Sequence, residues 1–227
     1  MRALAPDPAK DPTLVFEHEQ LERYPDYLGV IGLDEAGRGA IAGPVSVGAH
    51  VVQRGTTSFP EGLRDSKLLS EARREWIFPT VLEWGIGAVG YGQPGDIDEH
   101  GITAMLGRAG RDALLSVHEQ GIDVRKCLIV VDGSHDWLSE ALLQPLHVVT
   151  RVGADRQHAS VAAASLRAKV ERDRLMLAAH ESLPHYAWNK NKGYGAAAHY
   201  DGIRQHGLTS QHRASWINPA TIERAVH

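Results

Sequence analysis

Asp34 and Glu35 stand side by side in Ile31-Gly32-Leu33-Asp34-Glu35-Ala36-Gly37-Arg38-Gly39, at the end of an apolar run with the character of a buried strand. Two carboxylates delivered by a core strand are costly to desolvate unless a cation sits on them. Two more acids fall in comparable places. Asp132 ends the apolar run 127–131 and precedes Gly133, and Asp155 lies between a short strand and an alanine-rich helix. Three separate segments can therefore bring four acids to one edge of a sheet, where sites collect in open α/β folds. Oxygen donors without clustered His or Cys suit Mg²⁺ or Mn²⁺ better than zinc. Two such cations about 4 Å apart can hold an attacking water and a leaving oxygen across a phosphodiester.

Each acid also has a plainer reading. A strand-end Asp commonly serves a turn, and Asp155 could simply cap the helix that follows it. Asp173, in Val170-Glu171-Arg172-Asp173-Arg174, competes for the place of fourth acid. It lies 18 positions beyond Asp155. A continuous helix would put about 27 Å between them, at 1.5 Å per residue. Lys169 one turn earlier, with Arg172 and Arg174 beside it, makes a surface ion pair the expected role of Asp173, which leaves Asp155 as the fourth acid.

Two glycine-rich turns accompany the acids. Gly37-Arg38-Gly39-Ala40-Ile41-Ala42 fits the G-x-G-x-x-A dinucleotide pattern, which would mean a nicotinamide oxidoreductase. That fingerprint must open a helix, and here Gly43-Pro44 and alternating valines follow instead. The arginine and bare amides of this turn suit a phosphate better. Asn189-Lys190-Asn191-Lys192-Gly193-Tyr194-Gly195 combines lysines for phosphates with a tyrosine able to stack on a sugar or base. Read alone, it could equally be a surface turn.

The elements that must position these groups follow from periodicity. Strands are expected at 28–34, 45–51, 85–91, 127–131 and 146–150, the first two forming an antiparallel hairpin. Helices are expected at 13–23, at 71–84 capped by Ser70 and kinked or split by Pro79, at 102–119, at 157–181 and at 196–206, with a turn at 94–100. Three strands followed by alternating helices and strands read as an α/β domain with a mixed sheet. Residues 1–25 read as a loose acidic arm, 26–184 as the catalytic core and 185–227 as a helical extension of the same domain.

Composition bounds the function classes. The 227 residues, 43% hydrophobic and 23% charged, suffice for one large globular domain. A single cysteine, Cys127, rules out a disulfide framework, and neither a secretory signal nor a membrane-length apolar run is visible. A cytoplasmic monomer is the expectation. The net charge of −4 hides an asymmetry, with −9 over residues 1–150 and +5 over 151–227. A basic face that meets a polyanion is compatible with it.

In combination, the motifs resemble those of the bacterial type 2 ribonucleases H, the ribonuclease HII family. The resemblance spans roughly 28–216. It rests on Gly32–Gly39, Asp65-Ser66-Lys67, Val131-Asp132-Gly133, Ala154-Asp155, Ser160–Ser165, Ala168–Asp173, Asn191–Gly195, Gly207-Leu208-Thr209 and His212–Trp216, in that order. It implies a ribonuclease H-like mixed sheet flanked by helices, with a small helical C-terminal part. It also implies cleavage of RNA in RNA–DNA hybrids, nicking at single ribonucleotides in duplex DNA, and two divalent cations, Mg²⁺ or Mn²⁺, held by Asp34, Glu35, Asp132 and Asp155. The turn Gly37-Arg38-Gly39 and Tyr194 would sense the 2′-hydroxyl, the group that distinguishes RNA from DNA. Lys67, Lys169 and Lys192 would contact phosphates. Neither a membrane nor a nucleotide cofactor is implied. Three departures bear on substrate contacts: Val152-Gly153-Ala154-Asp155 where the family commonly has Lys-Gly-Asp or Lys-Ala-Asp, Arg213-Ala214-Ser215 for Arg-Arg-Ser, and Arg167 at a position more often apolar. A different metal-dependent nuclease and a hybrid-binding module without catalysis stand as alternatives.

Overall fold

A computed structural model describes residues 11–218. Five strands, β1 (Gly29–Ala36), β2 (Val45–Gln53), β3 (Gly87–Gly92), β4 (Cys127–Asp132) and β5 (His147–Arg151), form one sheet in the order β3-β2-β1-β4-β5. β1 pairs antiparallel with β2 as the expected hairpin, and β2 antiparallel with β3; β4 runs parallel to both β1 and β5. The sheet is therefore mixed, as expected. Because β1 and β4 are parallel and pair Leu33 with Val131, the next residues, Asp34 and Asp132, emerge together at the same carboxyl edge.

The helices are α1 (Val15–Arg23), α2 (Glu71–Trp84), α3 (Pro94–His100), α4 (Ile102–Glu119), α5 (Ala154–Gln157), α6 (Ala159–Ser182), α7 (Trp188–Asn191) and α8 (Ala197–His206). One sheet face carries Ile31, Leu33, Val47 and Ile129 against Leu106, Ala109 and Ala113 of α4. The other carries α6, whose run Val161-Ala162-Ala163-Ala164 is fully buried. The reason for alanine there is distance. A Cβ on Gly32 would lie 2.3 Å from the Ser160 carbonyl carbon, and one on Gly48 2.1 Å from the Ala164 oxygen, so helix and sheet meet backbone to backbone. That contact fixes where α6 begins, and with it the segment carrying Asp155.

Four local expectations change. Residues 94–100 form a helix with Pro94 in its first turn, where a missing N–H costs nothing. Pro79 does not split α2. Ile77, Phe78 and Val81 are buried on its inner face against Ala163, Leu166 and Val170, and this packing outweighs one lost hydrogen bond. The long helix starts at Ala159 rather than 157, because His158 is extended (φ −116°, ψ 126°) and separates it from the short α5. Asp155 thus sits inside α5 and does not cap α6. Finally, the acidic arm is docked where it is described: Phe16 and Leu21 of α1 are buried with Val30 and Leu128. Its first ten residues lie outside the described part.

Candidate metal centre

β1, β4 and α5 each deliver one aspartate. Asp34, Asp132 and Asp155 offer carboxylate oxygens that all lie within 4.8 Å of one another. Asp34 and Asp155 are buried and Asp132 half-buried. Asp132 also braces the site, its Oδ1 accepting the Ala154 N–H at 2.8 Å and so tying β4 to α5. Asp34 Oδ1 accepts the Glu35 N–H at 2.8 Å, whereas its Oδ2 is buried with no hydrogen-bond partner in the described protein. An orphaned, buried carboxylate oxygen facing two more carboxylates is the coordination a hard divalent cation satisfies.

Electrostatics agree. Burial, reinforced by the neighbouring Glu35 charge, lifts Asp34 from 3.8 to about 8, with Lys67 and the Ser165 hydroxyl acting against it. Burial first and Asp155 second raise Asp132, while the Ala154 N–H holds it down. Glu35 is raised by burial and by Asp132 and lowered by Arg38. It stands beside the three aspartates rather than among them: its carboxylate takes Arg38 Nη1 at 3.4 Å.

The lysines divide. Lys67 Nζ donates to Asp155 Oδ2 at 2.9 Å, and although burial opposes its charge, Asp34 and Asp155 drive its pKa upward. Lys169 is held on Asp173 at 2.7 Å. Lys192 is buried, in a left-handed conformation, with Nζ on the Asn189 carbonyl at 2.6 Å and on Glu71. Only Lys67 of these three reaches the acids in the described structure. Asp173 is likewise not the surface pair expected from its neighbours. It is 4% exposed and bridged by Lys169 and, at 3.7 Å, by Arg74, while Arg174 pairs elsewhere with Glu75.

The glycine turn is organised by two arginines whose depth the local sequence does not reveal. Arg213, fully buried, donates to the carbonyls of Gly37 at 2.8 Å, Arg38 at 2.9 Å and Gly43. Arg172, also fully buried, donates to Pro44, Lys192 and Ala42 carbonyls. Gly37 has φ +79°, and a Cβ there would sit 1.9 Å from Arg172 Nε, so glycine is required twice over. Gly193 O accepts the Ile41 and Ala42 N–H groups at 2.9 and 3.0 Å, joining the 191–195 segment to the turn. Tyr194, 39% exposed, lies over Arg172 and Lys169, at 5.4 and 5.9 Å from its ring centroid. Asp65 has a comparable organising part. Fully buried, it caps a 3₁₀ turn by accepting the Lys67 N–H and so aims Lys67 at the acids. The signal was present in Asp65-Ser66-Lys67, since Asp two positions before a residue commonly bonds its N–H.

A mixed five-stranded sheet that gathers Asp34 and Asp132 at the ends of two parallel strands, with Asp155 of α5 beside them, has the architecture and the acid cluster of a ribonuclease H-type nuclease. Comparison with known proteins agrees: the family model "Ribonuclease HII" matches residues 31–219. The ribonuclease HII of Streptomyces griseus is 40% identical over 202 residues, covering 87% of this chain and 81% of that protein. The ribonuclease H2 of Pyrococcus horikoshii OT3 superposes with a TM-score of 0.68 at 25% identity, over 87% of this chain and 98% of the other. Bst-RNase HIII, solved in complex with Mn²⁺, has the same fold, with a TM-score of 0.68 at 22% identity over 86% of this chain and 69% of that one. The chain belongs to the ribonuclease HII family, whose members are metal-dependent endoribonucleases. Among the described residues, no helix is long and apolar enough to cross a membrane.

Proposed function

We propose that this chain hydrolyses the RNA strand of RNA–DNA hybrids and nicks duplex DNA 5′ to single embedded ribonucleotides, leaving a 3′-hydroxyl and a 5′-phosphate. The observation that carries the reading is the convergence of Asp34, Asp132 and Asp155 within 4.8 Å, next to a glycine turn of fixed shape. The three aspartates would hold two divalent cations, Mg²⁺ or Mn²⁺, with Glu35 at their side. Bound there, such ions supply the charge that lowers the pKa of a water and offsets the charge of a departing 3′-oxygen. The Glu35 N–H on Asp34 Oδ1 and the Asp132–Ala154 brace keep the donors in place without substrate and leave Asp34 Oδ2 for a cation.

The rest of the site supports recognition. The Gly37-Arg38-Gly39 turn, pinned from below by Arg213, presents backbone amides and a half-exposed Arg38 guanidinium. Tyr194 lies over Arg172, the arginine that also packs against Gly37. A turn held this rigidly can distinguish a 2′-hydroxyl from a hydrogen, since a misplaced polar group would go unpaired. Lys67, still protonated beside the acids and with a side chain 61% exposed, can exchange Asp155 for a substrate phosphate. Lys169 and Lys192 are held by Asp173 and by Glu71 with Asn189, and each ammonium keeps a further donor for a substrate phosphate.

The test is a labelled duplex carrying one ribonucleotide, with Mg²⁺ or Mn²⁺. A single nick 5′ to that residue is expected. Equal cutting of the all-DNA duplex would point instead to a general metal-dependent nuclease. Hybrid that is bound but survives the metal would point to a binding module.

A further inference from the structure

Residues before 31 lie outside the family match, and the activity just proposed gives them no part. Yet the N-terminal arm contacts the segment that carries Asp155. Thr13 forms a parallel bridge with His158, its N–H donating to the Gln157 carbonyl at 3.0 Å and its own carbonyl accepting the Ala159 N–H at 3.1 Å. Phe16 stacks on the His158 ring at 4.3 Å between centroids. Glu17, fully buried, turns Oε1 onto the first turn of α6, accepting the Ser160 N–H at 2.8 Å and the Ser160 hydroxyl at 2.7 Å.

α5 is only four residues long, too short to hold its own shape, and Asp155 is its second residue. Its amino end is fixed by Asp132 through the Ala154 N–H. At its carboxyl end the packing of α6 on the sheet sets the position of the junction and the arm adds hydrogen bonds to it: Thr13 takes both peptide groups flanking His158, and Glu17 supplies the cap that α6 lacks from its own N-cap residue. A carboxylate at a helix amino terminus is also favoured by the helix dipole.

We propose that Glu17, with the Thr13 bridge, is a positioning residue of the metal centre: it holds the α5–α6 junction so that Asp155 faces Asp34 and Asp132. This inference rests on the metal reading above. Glu17 touches no substrate and acts only through Ser160 and the backbone.

The experiment is Mn²⁺ binding by the full chain, followed by calorimetry or by the electron-spin signal of free Mn²⁺, alongside thermal melting. Glu17→Ala is expected to weaken Mn²⁺ binding about 10-fold, the range seen when groups supporting a metal ligand are lost. Glu17→Gln keeps an oxygen acceptor for Ser160 and is expected to restore most of that affinity. Ser160→Ala, which loses only the hydroxyl donor, is expected to weaken binding about 2-fold and decides the matter should Glu17→Ala fail to fold. A lower melting temperature with parental Mn²⁺ affinity would overturn the arm's role, as would Glu17→Gln binding no better than Glu17→Ala. A parent chain that binds no Mn²⁺ at all would overturn the metal reading and this inference together, so the two failures are distinct.

Discussion

Single residues decide which acids matter. Asp155→Asn removes one charge from the group of three aspartates but keeps the side-chain volume. We expect turnover to drop on the order of 100-fold or more while the melting temperature changes little, measured on the embedded-ribonucleotide duplex with Mg²⁺. Asp173→Asn should do the reverse. It leaves Lys169 and Arg74 without their shared, buried counter-charge, and a stability loss of roughly 2–4 kcal/mol is expected by urea unfolding. Loss of Mn²⁺ affinity in Asp173→Asn with an unaltered midpoint would contradict the assignment. The sequence placed Asp34, Asp132 and Asp155 at one edge of the sheet, where their carboxylates do meet, but it put Glu35 in the same group, whereas Glu35 stands to the side with Arg38. The burial of Asp173 was not legible. Its local sequence is rich in charge, and only the fold reveals that Arg172 points inward to carbonyls and leaves Asp173 to Lys169 and Arg74. Lys192 misleads in the same way, because a lysine in a glycine-rich turn looks exposed until Glu71 and Asn189 are seen around it.

Elements set how well the residues are held. β1 and β2 accept α6 at backbone distance through Gly32 and Gly48, and the register of that contact places the α5–α6 junction. Gly48→Ala forces α6 away from the sheet, and a destabilisation of about 1–3 kcal/mol is expected from overpacking, read by chemical denaturation. A neutral result would mean that α6 can shift without cost and that its position does not fix Asp155. The strands, the β1–β2 hairpin and the longer helices were legible because hydrophobic alternation and alanine periodicity report directly on which face is buried; the order β3-β2-β1-β4-β5 was not. Boundaries were less so. The break at His158 comes from a bridge to Thr13, a contact 145 positions distant along the chain and invisible to any local pattern. Pro79 inside α2 shows the same limit: a local rule gave way to packing on α6.

The whole molecule carries the electrostatic consequence. With Asp34 lifted from 3.8 to about 8 in the folded chain, the native state retains a proton that the unfolded chain gives up above pH 4. Stability of the metal-free protein should therefore fall as pH rises from about 4 to about 8, since the unfolded state binds fewer protons across that window. Melting in EDTA between pH 5 and 8 should show this slope, and Asp34→Asn should flatten it. Added Mg²⁺ should raise the melting temperature most at the alkaline end, where the carboxylate is free to bind it. A metal effect that is equal at pH 5 and pH 8 would mean the cation binds elsewhere.

The most direct measurement is anomalous diffraction from crystals of the chain equilibrated with Mn²⁺. Density is expected among the carboxylates of Asp34, Asp132 and Asp155, with the Lys67 ammonium drawn back from Asp155. Strong Mn²⁺ peaks away from these three residues, or none beside them at saturating metal, would contradict the proposed hydrolytic centre.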